Sequence, residues 1–121
     1  SSSSFFTSGI DKTNFSKSSF SIITSIGAHE HLKKPDFSEI KRLLPNDGIC
    51  IMVLPACGPF HPNRGNWVQK GVQSEWWYSR KDWEKFMLRD GLRNSTKEYK
   101  NIIENYITGK KKRWTFILKP I

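Results

Sequence analysis

Two short, largely apolar runs, Phe20 to Ile26 and Ile49 to Leu54, flank a single amphipathic segment, and that spacing limits the folds open to the chain. A strand buried on one face alternates apolar with polar residues, whereas a strand covered on both faces reads as a near-continuous apolar run. Both runs are of the second kind, so both are expected as buried strands. Between them, Pro35 and Asp36 punctuate the chain and Asp36 or Ser38 can cap a helix. Phe37, Ile40, Leu43 and Leu44 then recur at helical spacing until Pro45-Asn46-Asp47-Gly48 stops the helix. Strand, helix and strand with connections this short form a right-handed βαβ unit, which makes the two strands parallel neighbours.

The flanking sequence is less regular. The first nineteen residues are rich in Ser, Thr, Asn and Lys and read as a strand remnant and loop, with residues 1–8 the least structured. Ala56 to Tyr78 breaks down into Gly, Pro, Asn and aromatic residues, and a loop of that length is usually functional or mobile. Ser79 to Asp90 reads as a helix, with Ser79 and Asp82 in capping-box relation, Trp83, Phe86 and Met87 as the inner stripe, and Gly91 as the stop. Leu92 to Asn94 fits a very short strand. Tyr99, Ile102, Ile103, Tyr106 and Ile107 predict a further helix up to Gly109. Lys110 to Arg113 is expected as a solvated turn before a last strand, Arg113 to Leu118.

A chain of 121 residues with 36% hydrophobic residues supports one small domain. No run approaches the roughly 18 apolar residues of a membrane span, and the start lacks the regions of a signal peptide, so a soluble, cytoplasmic protein is expected. Cys50 and Cys57 match neither a redox CxxC nor a paired zinc-ribbon spacing and are expected as buried free thiols. The net charge of +9 favours contact with something anionic without naming it.

Taken in order, Gly9-Ile10-Asp11, Phe15, Ser18-Ser19-Phe20-Ser21-Ile22-Ile23, Gly27-Ala28-His29-Glu30-His31-Leu32, Phe37-Ser38-Glu39-Ile40-Lys41-Arg42-Leu43-Leu44 and Asp47-Gly48-Ile49 resemble the second half of the small-molecule class I S-adenosylmethionine-dependent methyltransferases. The match is best over residues 9–55. Residues 56–78 then fall where the family has its substrate lid, and residues 79–121 where it has its closing helices and strand. Ser21 stands where the family usually has Asp, and Pro45-Asn46-Asp47-Gly48 replaces its double glycine. No glycine-rich strand-to-helix turn precedes Asp11. The resemblance implies an α/β fold: the C-terminal half of a Rossmann-like methyltransferase sheet, strands 4-5-7-6 with flanking helices and an antiparallel last strand. It also implies half of a cofactor crevice, because such cofactors lie across the carboxyl ends of the strands at the switch point.

The same resemblance implies roles for individual residues. Asp11 and the Lys12 amide would meet the adenine of S-adenosylmethionine, and Ser25, Ile26 and Gly27 its methionine portion. His31 would be the polar group or general base at the acceptor, a small molecule or glycan, with His61, Trp67, Trp76 and Trp77 around it. Each has a plainer reading: a turn Asp, strand punctuation at Gly27, a helix-capping His31, and tryptophans that only pack. His29-Glu30-His31 also invites a metal reading with His61 or Cys57, but it lacks the two-His helical spacing of a zinc enzyme, so no metal is expected. The rival class is a nucleic-acid-binding module using Trp and Tyr beside Arg64, Lys70, Arg80 and Lys81. A half sheet would leave the edge of its first strand unpaired, so self-association there is expected unless Phe5 to Phe15 cover it.

Overall fold

The computed structural model describes residues 14–99, 105–108 and 111–121. Asp11, Lys12 and the Phe5 to Phe15 cover, except its last two residues, therefore lie outside the described residues. The first apolar run forms β1, Ile22–Ile26, and the second forms β2, Ile49–Ala56, joined through α1, Ser38–Leu43. β1 and β2 are parallel, with Ile23 opposite Cys50 and Ile26 opposite Val53. The last strand, β7 (Lys111–Pro120), runs antiparallel beside β2, Met52 opposite Phe116. Its other edge takes β5 (Leu92–Asn94) and β6 (Asn105–Thr108) end to end, giving the order β1-β2-β7-β5 with β6 paired to β7.

α1 and α2 (Arg80–Arg89) pack on the same face of this sheet. The core between them holds Ile23, Cys50, Met52, Leu54, Phe116 and Leu118 from the strands, Ile40 and Leu43 from α1, and Trp83 and Met87 from α2. Trp83 is fully buried, its indole N–H donating to the Pro55 carbonyl at 3.2 Å, so the largest side chain of the core leaves no polar atom unmet. α2 begins as its sequence pattern implies. The Ser79 hydroxyl accepts from the Asp82 amide at 3.3 Å, and the Asp82 carboxylate accepts from the Ser79 amide at 3.1 Å. Cys50 and Cys57 are both buried and free, and burial pushes the Cys50 thiol up to about 12.

Four expectations change. β1 is not covered on both sides: Ile22 (42% exposed), Thr24 and Ile26 (67%) face outward, because both helices among the described residues lie over the opposite face. The segment from Ala56 to Tyr78 is not loop throughout but contains an antiparallel hairpin, β3 (Asn66–Lys70) and β4 (Gln73–Trp77). The hairpin turns through Gly71 and Val72, and Gly71 has φ +63°, the backbone that a two-residue turn starting on glycine requires. The described part of the expected helix ending at Gly109 is strand β6, whose backbone groups find partners on β7 instead of within a helix. The basic residues Lys111 to Arg113 are likewise strand rather than solvated turn.

Candidate functional site

The chain leaves β1 through Gly27, whose amide donates to the Val53 carbonyl at 3.0 Å, and enters a 3-10 turn, His29–His31. Gly27 has φ +66°, and a Cβ there would lie 3.2 Å from Arg113 Nη1 and 3.8 Å from Glu30 Oε2. Only glycine gives both the left-handed backbone and the room. The turn folds two titratable side chains inward. His29 is buried, with Nδ1 2.7 Å from the Ser25 hydroxyl and its ring stacked on Phe37 at 5.4 Å. Glu30 is 1% exposed, and burial raises its carboxyl above the usual range despite nearby His31 and Arg113.

His31 points the other way, toward the hairpin. Its Nδ1 lies 2.9 Å from the Ser74 carbonyl, and its Nε2 lies 3.7 Å from Glu30 Oε2. A carbonyl can only accept, so Nδ1 carries the proton. The hairpin is fastened to the same turn by Trp76, whose indole N–H donates to the Leu32 carbonyl at 2.9 Å. At its base the hairpin is held by Arg64, which makes two bonds to the Asp82 carboxylate at 2.8 and 2.9 Å. That guanidinium lowers the Asp82 carboxyl to about 2. Between the turn and the hairpin lies a pocket of about 410 Å³ lined by Gly27, Glu30, His31, Gln73, Glu75 and Arg113. Arg113 reaches it from β7, on the sheet face opposite the helices.

Of the residues singled out in the sequence, Gly27 and His31 meet in this pocket. The Ser25 side chain instead serves His29, and the Ile26 side chain faces outward. The four expected acceptor residues do not form one wall. Trp67 and Trp76 are cross-strand partners on one face of the hairpin, with rings 5.2 Å apart, and Trp76 also stacks on Tyr78 at 5.2 Å. Trp77 alternates to the other face and packs on His61 at 4.7 Å. Glu75 and Arg113 were not expected here. The Gln-Ser-Glu-Trp-Trp alternation could have placed Glu75 and Trp77 on one face, but only for a strand that the sequence does not announce. A second cavity, about 470 Å³, lies between the end of β2 and the start of α2, where Arg80 stacks over Trp114 at 4.8 Å.

No protein-family model and no curated protein matches the sequence. Solved structures do share its fold. The chain is similar to 1,6-didemethyltoxoflavin-N1-methyltransferase of Burkholderia thailandensis, solved with 1,6-didemethyltoxoflavin and S-adenosylhomocysteine, at TM-score 0.70 and 9% identity over 96% of this chain and 50% of that one. It is similar to the PH0226 protein of Pyrococcus horikoshii at 0.60 and 12%, over 94% of this chain and 57% of that one. It is also similar to geranyl diphosphate C-methyltransferase of Streptomyces coelicolor, solved with Mg2+, geranyl diphosphate and S-adenosylhomocysteine, at 0.58 and 14%, over 91% and 49%. The chain thus spans about half the length of these structures, and at such low identity the likeness is one of fold alone.

Proposed function

We propose that the chain is the acceptor-side half of an S-adenosylmethionine-dependent methyltransferase acting on a small molecule or glycan precursor. One observation carries the reading: Gly27 and His31 meet in a pocket beyond the carboxyl ends of the parallel strands β1 and β2. Open α/β sheets take their ligands there. The fold shared with two methyltransferases that hold S-adenosylhomocysteine supports it. In this reading β1, β2, β7 and β5 are the family's fourth, fifth, seventh and sixth strands. The backbone from Ser25 to Gly27 meets the methionine end of the cofactor, while Asp11 and Lys12 meet the adenine.

Methyl transfer from a sulfonium asks mainly for an aligned acceptor and a place for its proton. His31 suits the second task, because its Nδ1–H is held by the Ser74 carbonyl, which leaves Nε2 as the ring nitrogen free to take a proton when the imidazole is neutral. Trp77 at the end of the hairpin and His61, which packs on it, belong to the acceptor side. The remaining cofactor contacts come from a glycine-rich turn that this sequence does not hold, so the chain alone binds the cofactor weakly. It also self-associates along β1, whose outer edge pairs with no other strand among the described residues.

The test is transfer of labelled methyl from S-adenosylmethionine to a panel of small acceptors by the longest polypeptide that contains this chain. Labelled product is expected, and His31→Ala should lower kcat by about 10² to 10⁴ while leaving affinity for S-adenosylhomocysteine within about twofold. If that polypeptide retains no S-adenosylhomocysteine, the reading fails. If the variant transfers methyl at the parent rate, His31 has no part in it.

A further inference from the structure

We propose that Glu30, His31 and Glu75 bind one divalent transition-metal cation of the zinc or manganese type. One ligand atom from each lies within 4.8 Å of the others, and all three residues line the pocket at the end of β1. A group of acidic side chains is common without a metal, and two further observations set this one apart.

The first is Glu30. Its side chain is only 2% exposed and the residue lines the pocket, yet Oε1 has no hydrogen-bond partner among the described residues. Buried carboxylates are ordinarily paired, hydrogen-bonded or bound to a metal, since an unmet oxygen there loses its water without replacement. The second is the tautomer of His31. With Nδ1–H held on the Ser74 carbonyl at 2.9 Å, Nε2 is the ring nitrogen left facing Glu30 Oε2 at 3.7 Å, and in the neutral imidazole it is an acceptor. A neutral imidazole nitrogen and a carboxylate oxygen at that separation leave a gap that suits a shared cation. A ring N–H fixed on a backbone carbonyl is also how metal-binding histidines are oriented.

Glu75 completes the set from β4, which Trp76 and His31 hold against the turn. Two carboxylates and an imidazole suit zinc or manganese better than magnesium, which takes oxygen ligands. Metal–ligand bonds of about 2.0 to 2.2 Å put donor pairs roughly 3 to 4.3 Å apart, so small side-chain adjustments close the site. Two carboxylates balance the cation, and Arg113, which approaches Gly27 on the same side as Glu30 Oε2, adds positive charge that favours an anionic ligand in the open positions. Once a cation is bound, His31 is a ligand rather than a base. A metal-held acceptor oxygen would then lose its proton more readily.

The experiment is calorimetric titration of the purified, metal-stripped chain with zinc chloride, and with magnesium chloride for contrast. It uses no methyl donor, so its outcome is separate from that of the methyl-transfer assay. One equivalent of zinc is expected at micromolar affinity or tighter, with magnesium at least about a hundredfold weaker. Glu75→Gln and His31→Gln should each weaken zinc by roughly tenfold or more at unchanged far-UV circular dichroism, and His61→Ala should leave binding intact. If Glu75→Gln does not fold, His31→Gln decides, because His31 is only half-buried. Three results overturn the proposal: no zinc binding at about 100 µM, parent affinity in the folded variants, or loss of the site with His61→Ala. The first would mean that the protein's own groups, His31 and Arg113 among them, compensate the Glu30 carboxylate.

Discussion

The hairpin is joined to the sheet by few contacts, and Trp76→Phe isolates the main one. Its indole N–H is shared between the Leu32 carbonyl at 2.9 Å and the Lys33 carbonyl at 3.2 Å. Phenylalanine keeps an aromatic body but removes that donor, at about 0.5 to 1.5 kcal/mol for a net hydrogen bond. The smaller ring also gives up part of its contact with Trp67 and Tyr78, each 5.2 Å away, where an aromatic pair contributes about 0.5 to 1.5 kcal/mol. A total near 2 kcal/mol corresponds to a roughly thirtyfold shift in the opening equilibrium of the hairpin. Native-state hydrogen exchange reads this directly. Amides of β3 and β4 should exchange about thirtyfold faster, while those of β2, flanked by partners on both edges, should stay as they are. Unchanged hairpin amides would show that the indole bond does not latch it. Equal acceleration in β2 would make Trp76 part of the global core.

Two further predictions follow from charge. Asp82 is held at about 2 chiefly by its hydrogen bond to Arg64, so its folded value lies below its unfolded one of 3.8. Its contribution is therefore present above about pH 4 and is lost as pH falls toward about 2. Urea melts should show Asp82→Asn destabilised by about 1 kcal/mol at neutral pH, with the gap narrowing through that window. A gap that stays constant with pH would assign the effect to the cap geometry alone. Glu30 has the opposite sign: burial raises its folded value above 4.5, so metal-free stability falls as pH rises through the raised value. Glu30→Gln should thus melt higher than the parent near pH 8 but not near pH 4, and matching pH profiles would show that the carboxylate is compensated in place.

Local signals were readable along the chain because local chemistry decides them. The apolar runs that became β1 and β2, the spacing of Phe37, Ile40, Leu43 and Leu44, and the Ser79–Asp82 box are each set within a few residues. The hairpin was hidden because aromatic residues on both faces of β4 mask its alternation and its turn rests on the single positive φ of Gly71. Tyr106 and Ile107 fit a helical spacing equally well, and only pairing with β7 makes them strand.

What the sequence determined by itself was the parallel βαβ unit and the position of Gly27 and His31 after its first strand, since both follow from neighbours in the chain. Which face of β1 meets solvent, and whether a pocket exists at its end, were decided by tertiary structure. Ile22 and Ile26 are exposed because both described helices pack on the other face. Glu30 and His31 become part of a charged site only because a hairpin brings Glu75 and a distant strand brings Arg113 to the same turn. Burial and electrostatic coupling between residues far apart in the chain depend on where the backbone places them, and no local pattern encodes that placement.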